Sequence, residues 1–175
     1  MSRPAPARLV LRYLAAFGPA SIRDVQVWSG ITGLRSVVDR LRSRLRVFRD
    51  ENGTELFDLP EAPRPDPDTP VPPRFLPEYD NVLLSHADRS RMVPAAHRRP
   101  VYSVNGIVYS SLLLGGFVRA IWALKRDRKR VMLVVRPLGR IAKRDRVAAT
   151  EEGLRLLAFI APGASAHHVQ FAAAI

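Results

Sequence analysis

The stretch Ser21-Ile22-Arg23-Asp24-Val25-Gln26-Val27-Trp28-Ser29-Gly30, continued through Ile31-Thr32-Gly33-Leu34 to Phe57, decides the fold of the N-terminal third. Ser21 followed three residues later by Asp24 has the form of a capping box, two side chains that satisfy the free N–H groups at a helix start. Ile22, Val25 and Trp28 then share an inward face, and Gly30 is placed to end the helix. Thr32 is positioned to cap a third helix. In that helix Leu34, Val37, Val38, Leu41 and Leu45 recur at helical offsets and form one apolar stripe. Val47–Asp50 and Thr54–Phe57 read as two strands joined around Asn52-Gly53, a strong hairpin signal. Upstream, Ala7 to Phe17 places Leu9, Val10, Tyr13, Leu14 and Phe17 on one helical face, and Gly18-Pro19 stops it.

Helix, helix, turn, helix and hairpin, in that order, describe a winged helix-turn-helix domain over residues 1–59. In such a domain the helix after the tight turn enters the major groove of DNA and the hairpin touches the backbone. The outer face of that helix carries Arg35, Ser36, Asp39, Arg40, Arg42 and Ser43, with Arg44 and Arg46 near its end. A guanidinium can grip phosphate or guanine with two parallel bonds. Arg35, Arg40, Arg42 and Arg44, with Arg49 and Asn52 of the hairpin, are therefore candidate DNA contacts. The competing reading is a solvated face in which Asp39 pairs with Arg35 and Arg42 at helical spacing.

Composition points the same way. The 175 residues are 47% hydrophobic and 25% charged, a globular profile, yet the net charge is +12. A charge of that size speaks of polyanionic partners, nucleic acid first and anionic membrane second. No cysteine is present, which excludes disulfides, thiolate metal sites and cysteine nucleophiles. No apolar run approaches a membrane span, and the first residues lack a signal peptide's order. The expected location is the cytoplasm, in association with the nucleoid, with no membrane partner.

The charge is uneven. Eight of the 15 prolines fall within Pro60–Pro77, and residues 60–80 carry a net −3. Proline fixes its own backbone and restrains the residue before it, so residues 60–80 read as an extended, stiff linker, with Phe75, Leu76 and Tyr79 as apolar anchors. Residues 81–175 read as a basic antiparallel β-sheet domain with a C-terminal helix. Its opening residues, Asp80 to Met92, suit either a short helix or a loop. Val101–Val104 and Ile107–Leu114 flank Asn105-Gly106, Gly115-Gly116 makes a further turn, and Phe117–Leu124 and Arg130–Val135 complete about four antiparallel strands. Apolar residues on both faces suggest a curled or barrel-like sheet with Trp122 in its core. A helix over Lys143–Phe159, with Val147, Leu154, Leu157 and Ala158 inward, and a strand near Val169–Phe171 follow. The fold class is thus α+β: a winged helix-turn-helix, then an antiparallel, barrel-like β-domain with a C-terminal helix.

The densest charge lies between two of these strands: Lys125, Arg126, Arg128, Lys129 and Arg130, with one acid, Asp127. Such a tip can enter a groove or clamp phosphates, or simply guard a sheet edge. Five basic groups in six residues exceed what solubility requires, so Arg126, Arg128, Lys129 and Arg130 join the candidate DNA contacts. Lys143 and Arg144 are further candidates, because positive charge at a helix start opposes the helix dipole. A search for catalytic chemistry returns little. His86, His97, His167 and His168 form no metal motif, and His167-His168 reads as solvent-exposed. Glu78 and Asp80 around Tyr79 read as turn carboxylates rather than an acid–base pair. The sequence therefore points to no catalytic residue, no metal and no cofactor.

Several blocks resemble the bacterial winged-helix DNA-binding family that includes the AlkZ-like DNA glycosylases. They are Arg12-Tyr13-Leu14-Ala15-Ala16-Phe17-Gly18-Pro19-Ala20, Asp24–Gly30, Glu55–Pro60, Arg74–Asn81, Leu83–Arg91, Gly116-Phe117-Val118 with Trp122, and Glu151-Glu152-Gly153 with Leu157. The resemblance spans roughly residues 8–160. It implies tandem winged helices with a β-rich C-terminal part, and in some members excision of alkylated bases and unhooking of DNA crosslinks. That chemistry rests on a Gln-x-Gln motif in the N-terminal part of a chain about twice this length. Here the only glutamines are Gln26 and Gln170, and neither matches the motif. The resemblance therefore implies a duplex-DNA-binding scaffold related to the C-terminal part of a repair glycosylase, without catalysis of its own. A separate chain supplying the N-terminal catalytic part is a partner this resemblance allows. The alternatives are a dimeric transcription regulator and an active or split glycosylase.

Overall fold

The computed structural model describes residues 6–127 and 130–175. They form two compact units. The first comprises the described residues up to Pro67 together with Asn81–Asp88, and the second comprises Asp68–Asp80 and Arg89–Ile175.

The first unit opens with α1 (Pro6–Phe17), which buries Val10, Tyr13 and Leu14. α2 (Ile22–Ser29) starts at the expected capping box. Asp24 N–H donates to Ser21 Oγ at 3.2 Å and Ser21 N–H donates to Asp24 Oδ2 at 2.7 Å. Gly30 ends α2 with φ 69°, its N–H bonded to the Gln26 carbonyl. α3 (Arg35–Leu41) buries Val37, Val38 and Leu41, with Leu34 and Leu45 beside them, so the predicted stripe is the core of this unit. Two expectations change. Thr32 does not cap α3: Gly33 turns the chain at φ 73°, and the first turn is held by Leu34 N–H donating to Gln26 Oε1 at 3.1 Å. Trp28 is not fully inward but 40% exposed, leaning on the rings of Tyr13 and Phe17.

After a 3-10 turn at Arg42–Arg44, β1 (Arg46–Arg49) and β2 (Glu55–Asp58) pair antiparallel from Arg46↔Asp58 to Arg49↔Glu55. Their turn is tied by Asp50 Oδ1, which accepts from Asn52 and Thr54 N–H, and Gly53 takes φ 79°. Ala20 adds a bridge to the other side of β2 through two bonds with Phe57. α4 (Asn81–Leu84) and the loop after it dock on this unit through buried polar groups. Tyr13 O–H donates to the Ser85 carbonyl at 2.6 Å and Ala87 N–H donates to Asp24 Oδ1 at 2.8 Å. His86 Nε2 lies 3.1 Å from the Phe17 carbonyl, which can only accept, so Nε2 carries a hydrogen, and Nδ1 lies 2.9 Å from Ser85 Oγ.

The second unit is a five-stranded sheet in the order β3 (Arg74–Leu76), β4 (Ser111–Leu114), β5 (Phe117–Asp127), β6 (Arg130–Pro137), β7 (Ala166–Phe171). β3 lies within the proline-rich stretch expected to be a linker. The expected all-antiparallel, barrel-like sheet is corrected: the row is open and mixed, because β6 and β7 are parallel. A parallel pair needs a crossover, and α6 (Lys143–Ile160) is that crossover. The strand expected at Val101–Val104 is also corrected. Arg98–Val101 forms a helical turn, α5, and around Gly106 only the bridge Tyr102↔Val108 remains.

α6 covers one sheet face, packing on Leu112, Ala120, Val131, Leu133 and Val135. Its buried residues are Ala149, Gly153 and Leu157, whereas Val147, Leu154 and Ala158, expected inward, are exposed. The small residues let the helix approach closely. A Cβ on Gly153 would stand 2.9 Å from Val169 Cγ2 and 3.5 Å from the Phe75 ring. Gly153→Ala should therefore lower stability by about 1–2 kcal/mol, the cost of overpacking exceeding alanine's better helix propensity. Calorimetric unfolding checks this, and an unchanged or higher Tm would contradict it. Trp122 packs as expected, edge-on to Phe75 and donating Nε1–H to the Leu76 carbonyl at 2.9 Å.

Candidate nucleic-acid interface

In the first unit the sequence candidates lie on α3, the 3-10 turn after it and the β1–β2 hairpin. Arg35, Arg40 and Arg44 are exposed and make no hydrogen bond or ion pair among the described residues. Arg42 is different. Its guanidinium forks onto Glu55, Nη2 to Oε1 at 2.6 Å and Nη1 to Oε2 at 3.3 Å, and lies 5.7 Å from the Phe57 ring centre. Arg49 Nη2 approaches the same carboxylate at 3.8 Å. Asp39 forms no close ion pair among the described residues; its charge still acts on Arg42, whose close partner is Glu55 of the hairpin. Asn52 is exposed at the hairpin turn, its backbone N–H held by Asp50.

The Arg42 hydrogen bond holds the Glu55 carboxyl below its ordinary range, and the same bond raises Arg42. A carboxylate with a depressed folded pKa stabilises the fold above its unfolded pKa and loses that contribution as pH falls through the folded value. The pair thus supports the hairpin at neutral pH and fails in acid, below the ordinary glutamate value of 4.5. Glu55→Gln should narrow the Tm difference between pH 7 and pH 3, measured by circular dichroism. An unchanged difference would contradict the assignment.

In the second unit Lys125 and Arg126 end β5 and Arg130 begins β6, all three exposed, with Asp127 opposite Arg130 in the register. Arg128 and Lys129 lie outside the described residues. Lys125, Arg126, Asp127 and Arg130 line a shallow cavity of about 450 Å³ together with Met132 and His168. The sequence pattern assigns His168 to a solvated tail and gives it no role. In the structure it stands on β7 opposite Met132, which in turn stands opposite Lys125. Its neighbour His167 points the other way, Nε2 lying 2.9 Å from the Ala161 carbonyl. The signal that could have found His168 is the period-two alternation running into Val169 and Phe171. Lys143 and Arg144 sit on the first turn of α6, exposed, with Arg144 3.6 Å from Asp145. Arg146, by contrast, lays its guanidinium over Phe171 at 4.5 Å. The candidates thus fall into two groups, one on each unit.

Among the described residues no three His, Asp or Glu side chains gather as metal ligands, and no helix is long and apolar enough to cross a membrane.

The sequence matches the family model described as "DNA glycosylase AlkZ-like" over residues 1–159. No curated protein sequence matches the chain. Among solved structures, the fold is similar to that of the DNA glycosylase AlkZ of Streptomyces sahachiroi, with a TM-score of 0.74 at 21% identity. The alignment covers 98% of this chain and 48% of that one, so the chain spans about half the length of this relative. With nine-tenths of its sequence inside the family model, the chain belongs to the AlkZ-like DNA glycosylase family.

Proposed function

We propose that the chain binds double-stranded DNA as a repair-glycosylase-like module and does not itself release bases. The observation that carries this reading is the exposed cation cluster Lys125, Arg126 and Arg130 at the end of the β5–β6 ribbon in a member of a DNA glycosylase family. Exposed cations that outnumber their one acidic neighbour, Asp127, suit phosphate contact.

The first unit supports it. Three helices followed by a hairpin, with Ala20 bridged to β2, suit a winged helix, and Arg35, Arg40 and Arg44 keep their donors for phosphate or base edges. Arg42 would act mainly by orienting the hairpin through Glu55. Gln26 offers no catalytic amide, since its Oε1 accepts from Leu34 N–H. The natural test compares binding and base release on alkylated and unmodified duplexes. Equal affinity for both with no free base is expected. Base release would overturn the non-catalytic part of the proposal, and absence of binding to either duplex would overturn all of it.

A further inference from the structure

We infer that the open sheet face beside the β5–β6 turn seats one unpaired nucleotide of DNA, its base against Met132 and His168 and its phosphates on Lys125 and Arg130. This rests on the reading of the chain as a DNA-binding protein and adds to it a preference for duplex interrupted by an unpaired base.

Register and alternation place the site. Lys125 is directly opposite Met132, and Met132 directly opposite His168, so the three side chains form one row on one face. The alternate row, Leu124, Leu133 and Val169, faces α6 and belongs to the packed core. Adjacent strands are about 4.8 Å apart, so the row spans roughly 10 Å, wide enough for a base at one end and its phosphodiester at the other. In the next row on the same face, Ala123, Val134 and Gln170, the middle residue is buried and the two outer ones are exposed, so the exposed part of this face lies at the Lys125, Met132, His168 row.

The chemistry of the lining favours a nucleotide over a bare phosphate. Met132 is half-buried and offers a polarisable thioether, a good partner for an aromatic ring edge or face. His168 is exposed and offers a flat imidazole on which a base can stack. Three cations, Lys125, Arg126 and Arg130, line the cavity beside Met132 and His168, against the single acid Asp127. A surface built for backbone alone would be cationic throughout. A paired duplex cannot offer a base face to such a platform, because its bases are stacked on each other. An unpaired base can, and stacking is indifferent to which base it is.

Fluorescence anisotropy of the full chain with three labelled DNAs tests this: a paired 20-mer, the same duplex with three unpaired central thymines, and single-stranded oligothymidine. The interrupted duplex should bind roughly 5- to 100-fold tighter than the paired one, the range that stacking of one base supplies. His168→Ala and Met132→Ala should each bring that ratio toward one, while Met132→Leu, which keeps the apolar floor, should retain most of it. A ratio of one in the unaltered chain with the paired duplex still bound would overturn the nucleotide seat and leave the DNA-binding reading standing. A high ratio that survives both alanine variants would also overturn the seat. Binding to none of the three DNAs would overturn both readings.

Discussion

Gly18→Ala should cost the first unit about 3 kcal/mol or more, the largest stability effect expected of any single methyl group here. A Cβ at this position would overlap Asp58 Oδ1 and stand 2.7 Å from the Leu14 carbonyl oxygen. Neither neighbour can give way. The Leu14 carbonyl accepts the Gly18 N–H at 2.9 Å, and its movement would unwind the end of α1. Asp58 is 2% exposed, with Oδ1 accepting from Leu59 N–H and Oδ2 3.5 Å from Arg64 Nη2. Displacing it would strand a buried carboxylate away from its donors, a heavy cost in addition to the steric one. For a unit of this size the loss corresponds to roughly 10–20 °C in Tm. Thermal unfolding followed by circular dichroism checks it, and a shift under about 3 °C would show that the close approach of Gly18 to Asp58 is not as described.

Reversing the charge cluster, with Lys125→Glu, Arg126→Glu and Arg130→Glu together, should weaken duplex binding by roughly a hundredfold or more at 0.1 M salt. Each cation that no longer neutralises a phosphate takes about 0.9 off the log–log salt slope, along with its share of counterion release. All three side chains are exposed at the strand ends, so the variant should keep its fold, and an unchanged Tm would confirm that. Arg42→Ala offers the contrast. Its donors are engaged by Glu55, so it should disturb the hairpin more than it reduces the salt slope. An unchanged affinity in the triple variant would remove the β5–β6 turn from the contact surface.

What the sequence disclosed and what it hid follow from the range of the forces involved. Ser21 and Asp24 could be read as a cap because both halves of the motif lie within one turn. The stripe from Leu34 to Leu45 was legible because its period is local. The β1–β2 hairpin was announced by Asn52-Gly53, although its register, Arg49 opposite Glu55, is one residue off that of a two-residue turn. Some misreadings are local, such as Thr32 as the cap of α3 and Val101–Val104 as a strand, but the larger surprises concern partners distant in sequence. Size alone assigned Val147 and Leu154 to the inside, but the face that packs is the one whose small residues, Ala149 and Gly153, let Val169 and Phe75 come close. Arg74-Phe75-Leu76 looked like part of a stiff connector because prolines surround it, and only its pairing with β4 makes it a strand. The cation cluster was plain in the sequence, but the row Lys125, Met132, His168 was not. That row exists only because β7 returns parallel to β6 through α6, and no local pattern specifies that return.

The salt dependence of binding to a plain duplex, measured by anisotropy from 50 to 200 mM salt, tests DNA recognition by this chain most directly. With about five phosphates neutralised, the plot of log affinity against log salt should fall with a slope near −4 to −5. An affinity that does not change with salt, or no binding at the lowest salt, would contradict it.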